Sequence, residues 1–151
     1  MTLSAMMVLV PGLDSCSGPF QTDGQTRIKV EFRLAESSPS SGLAEIKLPD
    51  SDAKIYLHKD PLITNEDIVD ARVVEDDSTG QFGIEISFTG EASKRLTKAT
   101  GENIGKHMAV LFNRAVVTAP VIMSQVSDTA IITGHYTREE ASGIADGIRR
   151  K

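Results

Sequence analysis

From Ile28 to Leu34 the chain reads IKVEFRL, and apolar and charged side chains alternate without a break. Period two is the spacing of a pleated strand, so Ile28, Val30, Phe32 and Leu34 share one face while Lys29, Glu31 and Arg33 share the other. The pattern commits the start of the domain to a half-buried strand. It returns in GIEISF, where Ile84, Ile86 and Phe88 face inward. KIYLHK from Lys54, ARVVE from Ala71 and TAIIT from Thr129 are further strand candidates. MAVLF (108–112) and AVVTAPVI (115–122) are nearly continuous apolar runs, as expected of strands covered on both faces. Only Asn113 and Arg114 separate them, a hairpin-length connection.

Helix signals fall between these strands. Thr64-Asn65-Glu66-Asp67 offers an N-cap with an acidic residue three positions later, which predicts a short helix to about Val69. A second helix is predicted from just after Thr89 to about Asn103, with Ala92, Leu96 and Ala99 on its apolar stripe. Asn103 lands within that stripe, and an unpaired buried amide costs about 1–3 kcal/mol, so Asn103 is expected to clamp neighbouring backbone. Gly105 is expected to cap the helix in a left-handed conformation. Thr137-x-x-Glu140 is a capping box opening a last helix, whose inner face carries Ala141, Ile144, Ala145 and Ile148. Gly143 and Gly147 are expected on the opposite face, and Arg149, Arg150 and Lys151 complement the helix dipole. SSPSSG (37–42) reads as a loop and Asp76 to Gly80 as a turn.

Strands thus come in adjacent pairs with helices between the pairs. The fold class is α+β, a mixed or largely antiparallel sheet with helices packed on it. Residues 1–26 read as a signal-like or disordered tail and residues 27–151 as a single domain. A chain of 151 residues can bury about 70% of its unfolded surface, so its core needs neither disulfide nor metal. With no Trp and 5% aromatic residues, that core is aliphatic.

The run ATGENIGKH (99–107) raises the question of a phosphate cradle. A P-loop requires G-x-x-x-x-G-K-[ST] between a strand and the start of a helix. Here only three residues separate Gly101 from Gly105, and His107 stands where the magnesium-binding hydroxyl belongs. A helix also ends in this run, offering carbonyls that repel phosphate. His58, His107 and His135 lie on three different elements without metal-ligand spacing, and no serine sits in a G-x-S-x-G elbow. Glu139 and Glu140 belong to a helix start, and Glu75-Asp76-Asp77 lacks the ligand pattern of a calcium loop. A net charge of -5 argues against nucleic-acid binding. The local basic residues Lys94, Arg95, Lys98 and Lys106 read mainly as a solvated helix face, with Glu91 four positions before Arg95. The sequence therefore predicts no enzyme, no catalytic or metal-binding residue, no cofactor and no nucleotide.

No apolar run approaches the about 18 residues needed to cross a bilayer. The one cysteine, Cys16, excludes an internal disulfide. Its context, MMVLVPGLDSCSG, resembles a bacterial lipoprotein signal, with a leucine three residues ahead of the cysteine that becomes lipidated. Asp14 stands where a small neutral residue is usual, and no Lys or Arg precedes the apolar stretch. Two readings stay open here, a lipid anchor at Cys16 and a disordered tail with an incidental cysteine.

Three stretches together resemble one family. YLHKDPLITNEDIVDARVV, GIEISFTGEASKRLTKATGENIGKHMAVLFNRAVVTAPVI and AIITGHYTREEASGIADGIR are similar to the head portion of the first large extracytoplasmic domain of SecD, the Sec-translocase accessory subunit. The likeness runs from residue 54 to 150 in matching order, and TGENIGK, APVI and ITGHYTREEA are its most specific pieces. It implies a bacterial, extracytoplasmic, non-enzymatic module, in the periplasm or at the cell surface. Such a module contacts unfolded or envelope polypeptides during protein export, with Sec translocase components as further partners. Its membrane contact would be through a lipid anchor alone. Family members continue beyond the point matching IRRK toward a membrane part. Asn113-Arg114 also replaces the Asp-Gly or Asn-Gly of the family hairpin, so a longer or differently shaped turn is expected. A polypeptide-holding surface needs exposed apolar side chains or a free sheet edge. Ile122, Met123 and Val126, where the strand pattern breaks down after Pro120, are the candidate contact residues, with plain core packing as the competing reading. A sensory or scaffolding domain that docks one folded partner is the alternative function.

Overall fold

The computed structural model describes residues 26–49 and 51–150. Cys16, and with it the anchor expected there, lies outside the described residues. The elements in chain order are β1 (Val30–Glu36), β2 (Ala44–Lys47), β3 (Lys54–Leu57), β4 (Ile63–Thr64), a 3-10 turn (Asn65–Asp67), β5 (Ile68–Glu75) and β6 (Phe82–Phe88). These are followed by α1 (Gly90–Glu102), β7 (His107–Phe112), β8 (Ala115–Thr118), β9 (Thr129–Tyr136) and α2 (Arg138–Arg149). All strand pairs among the described residues are antiparallel, consistent with the α+β class.

The strands divide between two sheets. One runs β2-β3-β1-β7-β8 with β4 also paired to β1, and the other runs β5-β6-β9. The alternation of the first strand sets the geometry. Val30 and Phe32 pair with Phe112 and Val110 on β7 and enter the main core, together with Ile84, Ile86 and Phe88 of β6. Phe32 and Phe88 join the two sheets edge to face, with ring centroids 5.6 Å apart and planes at 85°. The other face of the larger sheet carries a smaller apolar cluster of Ala35, Ile55, Leu57, Ala109 and Leu111. Glu31 lies on that face, 3% exposed, paired with Lys29 at 2.7 Å and with the Arg33 guanidinium. Burial pushes its carboxyl up, but the Lys29 and Arg33 hydrogen bonds outweigh burial and hold it below the ordinary carboxylate range.

Several expectations change in the folded chain. The helix predicted from Thr64 to Val69 is a single 3-10 turn, and Ile68 already belongs to β5. Asp67 does accept from the Thr64 amide at 3.0 Å, but the β-branched residues Ile68, Val69, Val73 and Val74 favour pairing with β6 over a second helical turn. Asn65 instead extends the sheet through its side chain, accepting from Val30 N and donating to Ile28 O, both at 2.8 Å. β2 was not evident in the sequence, because its four residues AEIK are mostly exposed and too few to show a period. AVVTAPVI is not one strand covered on both faces. β8 stops at Thr118 and is the sheet edge, with its residues exposed or half-buried.

The Asn113-Arg114 hairpin keeps its two-residue length, since Phe112 pairs directly with Ala115. Both residues take positive φ, 50° and 73°, as a type I′ turn requires, so the departure from Asn-Gly is absorbed as backbone strain at Arg114. Asn113 holds the turn in place by accepting from Lys29 N at 2.9 Å.

The buried face of α1 is also rotated relative to expectation, whereas α2 buries the expected apolar residues and Gly147 besides. In α1 the buried residues are Ala92, Ser93, Leu96 and Thr100, while Ala99 is only half-buried. Arg95 bypasses Glu91 and pairs with Asp67 at 2.6 Å. α2 lies on the β5-β6-β9 sheet through Ala141, Ile144, Ala145 and Ile148. Gly147 is buried and not on a solvent face, because the segment entering β1 crosses α2 there. Ile28 N donates to Gly147 O at 2.9 Å.

Candidate functional site

α1 ends where the chain must reverse into β7, and the ten residues between β8 and β9 pass over this junction as a strap. Pro120 ends β8, after which the strap runs antiparallel to the segment entering β7. Met108 N donates to Pro120 O (2.9 Å), Ile122 N to Lys106 O (2.8 Å) and Gly105 N to Ile122 O (2.9 Å). Further along, Val126 is held at both backbone groups by α1. Its N–H donates to Thr100 Oγ1 at 3.0 Å and its carbonyl accepts from Thr97 Oγ1 at 3.2 Å. The Thr100 hydroxyl in turn donates to Leu96 O at 2.7 Å, so this fully buried polar group has its partners. Gln125 lies across Gly101, where any Cβ would come within 2.5 Å of Gln125 Nε2.

Asn103 is the C-cap of α1 and is half-buried. Its carboxamide donates to Ala99 O at 2.7 Å, and its carbonyl accepts from Lys106 N at 3.1 Å. Gly105 lies two residues beyond the cap with φ +87°, a left-handed conformation that lets its amide meet Ile122.

The three residues expected to contact polypeptide have different environments. Ile122 is 5% exposed and belongs to the main core, because the pairing with residues 105–106 turns it inward. Val126 is half-buried against the same core. Only Met123, 81% exposed, presents its side chain to solvent. The same pairing exposes Val121 (44%) beside it and Ile104 (53%) on the facing segment. Ile104 gave no signal in the sequence, since it lies between a helix end and a glycine, and only in the fold does its neighbour Gly105 bond the strap at Ile122.

Lys106, the cation of the glycine-lysine run, lies 3.2 Å from Glu36 Oε1, which His58 Nε2 also approaches at 3.1 Å. Hydrogen bonds from Lys106 and then His58 hold the Glu36 carboxyl below its ordinary range. His107 Nδ1 lies 2.8 Å from Ala119 O, tying β7 to the end of β8. A shallow cleft of about 420 Å³ opens between the 37–43 loop and the end of β3, lined by Arg33, Leu43, Leu57 and His58 but not by Lys106. Among the described residues no group of three or more His, Cys, Asp or Glu could hold a metal ion. No described helix is long and apolar enough to cross a membrane. The arrangement can offer apolar side chains and backbone, held on a rigid base, to another chain.

A family model described as SecDF, P1 head subdomain, matches residues 40–150. Protein translocase subunit SecD of Aquifex aeolicus is 40% identical over 100 residues, covering 65% of this chain and 20% of that protein. The SecDF subunit of Thermus thermophilus is 42% identical over 93 residues, covering 59% and 12%. The chain therefore spans a fifth or less of these two relatives. A crystal structure of SecDF in a super-membrane-facing form superposes with a TM-score of 0.66 and 30% identity, over 82% of this chain and 19% of that one. A solved structure of the membrane component SecDF that enhances protein export gives 0.65 and 28%, over 82% and 63%.

Proposed function

The chain belongs to the SecDF P1 head subdomain family, and from that premise we propose that it serves protein export as a non-enzymatic, extracytoplasmic binding module. Residues 27–151 act as one domain that weakly holds unfolded secretory or envelope polypeptides, with Sec translocase components as neighbours. The observation that carries this reading is the exposure of Ile104, Val121 and Met123 on the two segments that the strap joins by backbone hydrogen bonds. Large exposed apolar side chains are candidates for contact with another chain, and a flexible thioether suits partners of varied sequence. Ile122 and Val126 contribute by fixing the strap from below. Asn103 and Gly105 contribute by shaping the junction it pairs with.

Isothermal titration of the purified protein with a secretory chain, unfolded and then folded, tests the reading. The unfolded form is expected to bind more tightly, and Met123→Ser to weaken that binding about three- to tenfold, the scale of losing one exposed apolar contact. Equal binding of both forms, or none, would sink the proposal. We further propose that Cys16 carries a lipid anchor. Labelled palmitate should enter the natural chain and not Cys16→Ala, and absence of label from both would remove the anchor.

A further inference from the structure

We propose that the outer edge of β9 is a second contact site, which takes an extended, uncharged, β-prone segment of a client polypeptide as an added strand. The proposal rests on the polypeptide-holding reading above and assigns to it a backbone-recognising edge.

β9 is the outermost strand of the β5-β6-β9 sheet. Its pairing places Ser87 opposite Thr129, Ile86 opposite Ala130 and Ile84 opposite Ile132. Phe88 N donates to Asp128 O at 3.0 Å, which fixes the phase of the ladder. Antiparallel strands alternate hydrogen-bonded and non-bonded pairs, so Asp128, Ala130 and Ile132 turn their backbone groups toward β6. Thr129, Ile131 and Thr133 turn theirs away from it. Among the described residues, no hydrogen bond reaches the backbone of these three. All three are exposed, Ile131 at 56%.

The contrast with the other edges makes this specific. Proteins protect sheet edges with charges, proline, bulges or short strands. β5 carries Asp70, Arg72 and Glu75 and a bulge between Ile68 and Asp70. β2 has four residues, two of them Glu45 and Lys47. β8 has four residues and runs into Pro120. β9 has eight residues and contains no Asp, Glu, Lys, Arg or Pro; its one bulge, at Gly134 and His135, leaves a regular uncharged run from Thr129 to Thr133. An edge left open over those five residues, with Thr and Ile on its free face, does not repel an apolar segment. It binds through main-chain groups that every client shares, which suits partners of unrelated sequence. With no charge along β9, the edge matches an uncharged client segment, and a second copy is the outcome that sedimentation would reveal.

The test uses the full chain and a synthetic ten-residue peptide of Thr, Val and Ile, with a counterpart N-methylated at alternate amides. Hydrogen exchange should slow at the Thr129, Ile131 and Thr133 amides when the plain peptide binds. Ile131→Lys, and independently Thr133→Lys, should weaken the peptide at least tenfold, and so should N-methylation, while Met123→Ser leaves the edge protection in place. Unchanged peptide affinity in both lysine variants, or no protection at the three amides, would overturn the edge site and leave the apolar group standing. No binding of peptide at all would remove the polypeptide-holding reading with it. Sedimentation showing a dimer that Ile131→Lys disperses would replace the client by a second copy, overturning the proposed occupant.

Discussion

Replacing Gly147 with alanine should destabilise the protein, although alanine is the better helix former. In an exposed helix interior the exchange would gain about 1 kcal/mol. At this position, however, an added Cβ would lie 2.7 Å from Ile28 Cγ1, 2.9 Å from Ile28 Cδ1 and 2.9 Å from the Thr26 carbonyl oxygen. Neither neighbour can retreat easily. Ile28 is 1% exposed and packed in the main core, and its amide is bonded to Gly147 O itself. Overpacking of this kind costs about 1–3 kcal/mol, so the clash outweighs the propensity gain by about 1 kcal/mol. For a chain of this size that is a fall of about 2–4 °C in the melting temperature. Gly90→Ala is the matched control, because Gly90 is exposed at the start of α1 and has no atom within 4 Å of an added Cβ. Differential scanning calorimetry should show Gly90→Ala at or above the parent and Gly147→Ala below it. A Gly147→Ala protein that melts higher than the parent would refute the packing of the β1 entry across α2.

Arg114→Gly should stabilise the β7–β8 hairpin by up to about 1 kcal/mol in urea melts, because it relieves a left-handed non-glycine residue at φ 73° while adding some unfolded-state entropy. Destabilisation there would argue for a contact of Arg114 that outweighs the strain. Glu31 supplies a pH signature. Its folded carboxyl is held below the ordinary value, so its contribution is present above the unfolded carboxylate pKa of about 4.3 and is lost as pH falls through the lower folded one. Urea melts between about pH 5 and pH 2 should therefore show a shallower acid loss in Glu31→Gln than in the parent. Parallel curves would show that the Lys29–Glu31–Arg33 pairing contributes no such term.

Local periodicity and local chemistry were legible because they act over a few residues. The alternation of IKVEFRL and GIEISF placed Val30, Phe32, Ile84, Ile86 and Phe88 in the core without any knowledge of partners. The capping box at Thr137 closes as its spacing requires, with Thr137 N to Glu140 Oε2 at 2.8 Å and Glu140 N to Thr137 Oγ1 at 3.2 Å. Where several elements compete for one face, the local signal loses. Thr64 and Asp67 carry a helix signature, yet Ile68 gains more by pairing opposite Phe88. Ala99 fits the apolar stripe of α1, but Thr100 is the residue buried, because the strap supplies a partner for its hydroxyl.

By itself, then, the sequence determined an aliphatic α+β core, most of the strands that build it and the kinship with the SecDF head. The division into two sheets, the burial of Gly147, the inward turn of Ile122 and the exposure of Ile104, Val121 and Met123 were decided only in three dimensions. Each of these depends on a contact between segments distant in the chain, and such contacts leave no period in the residues that make them.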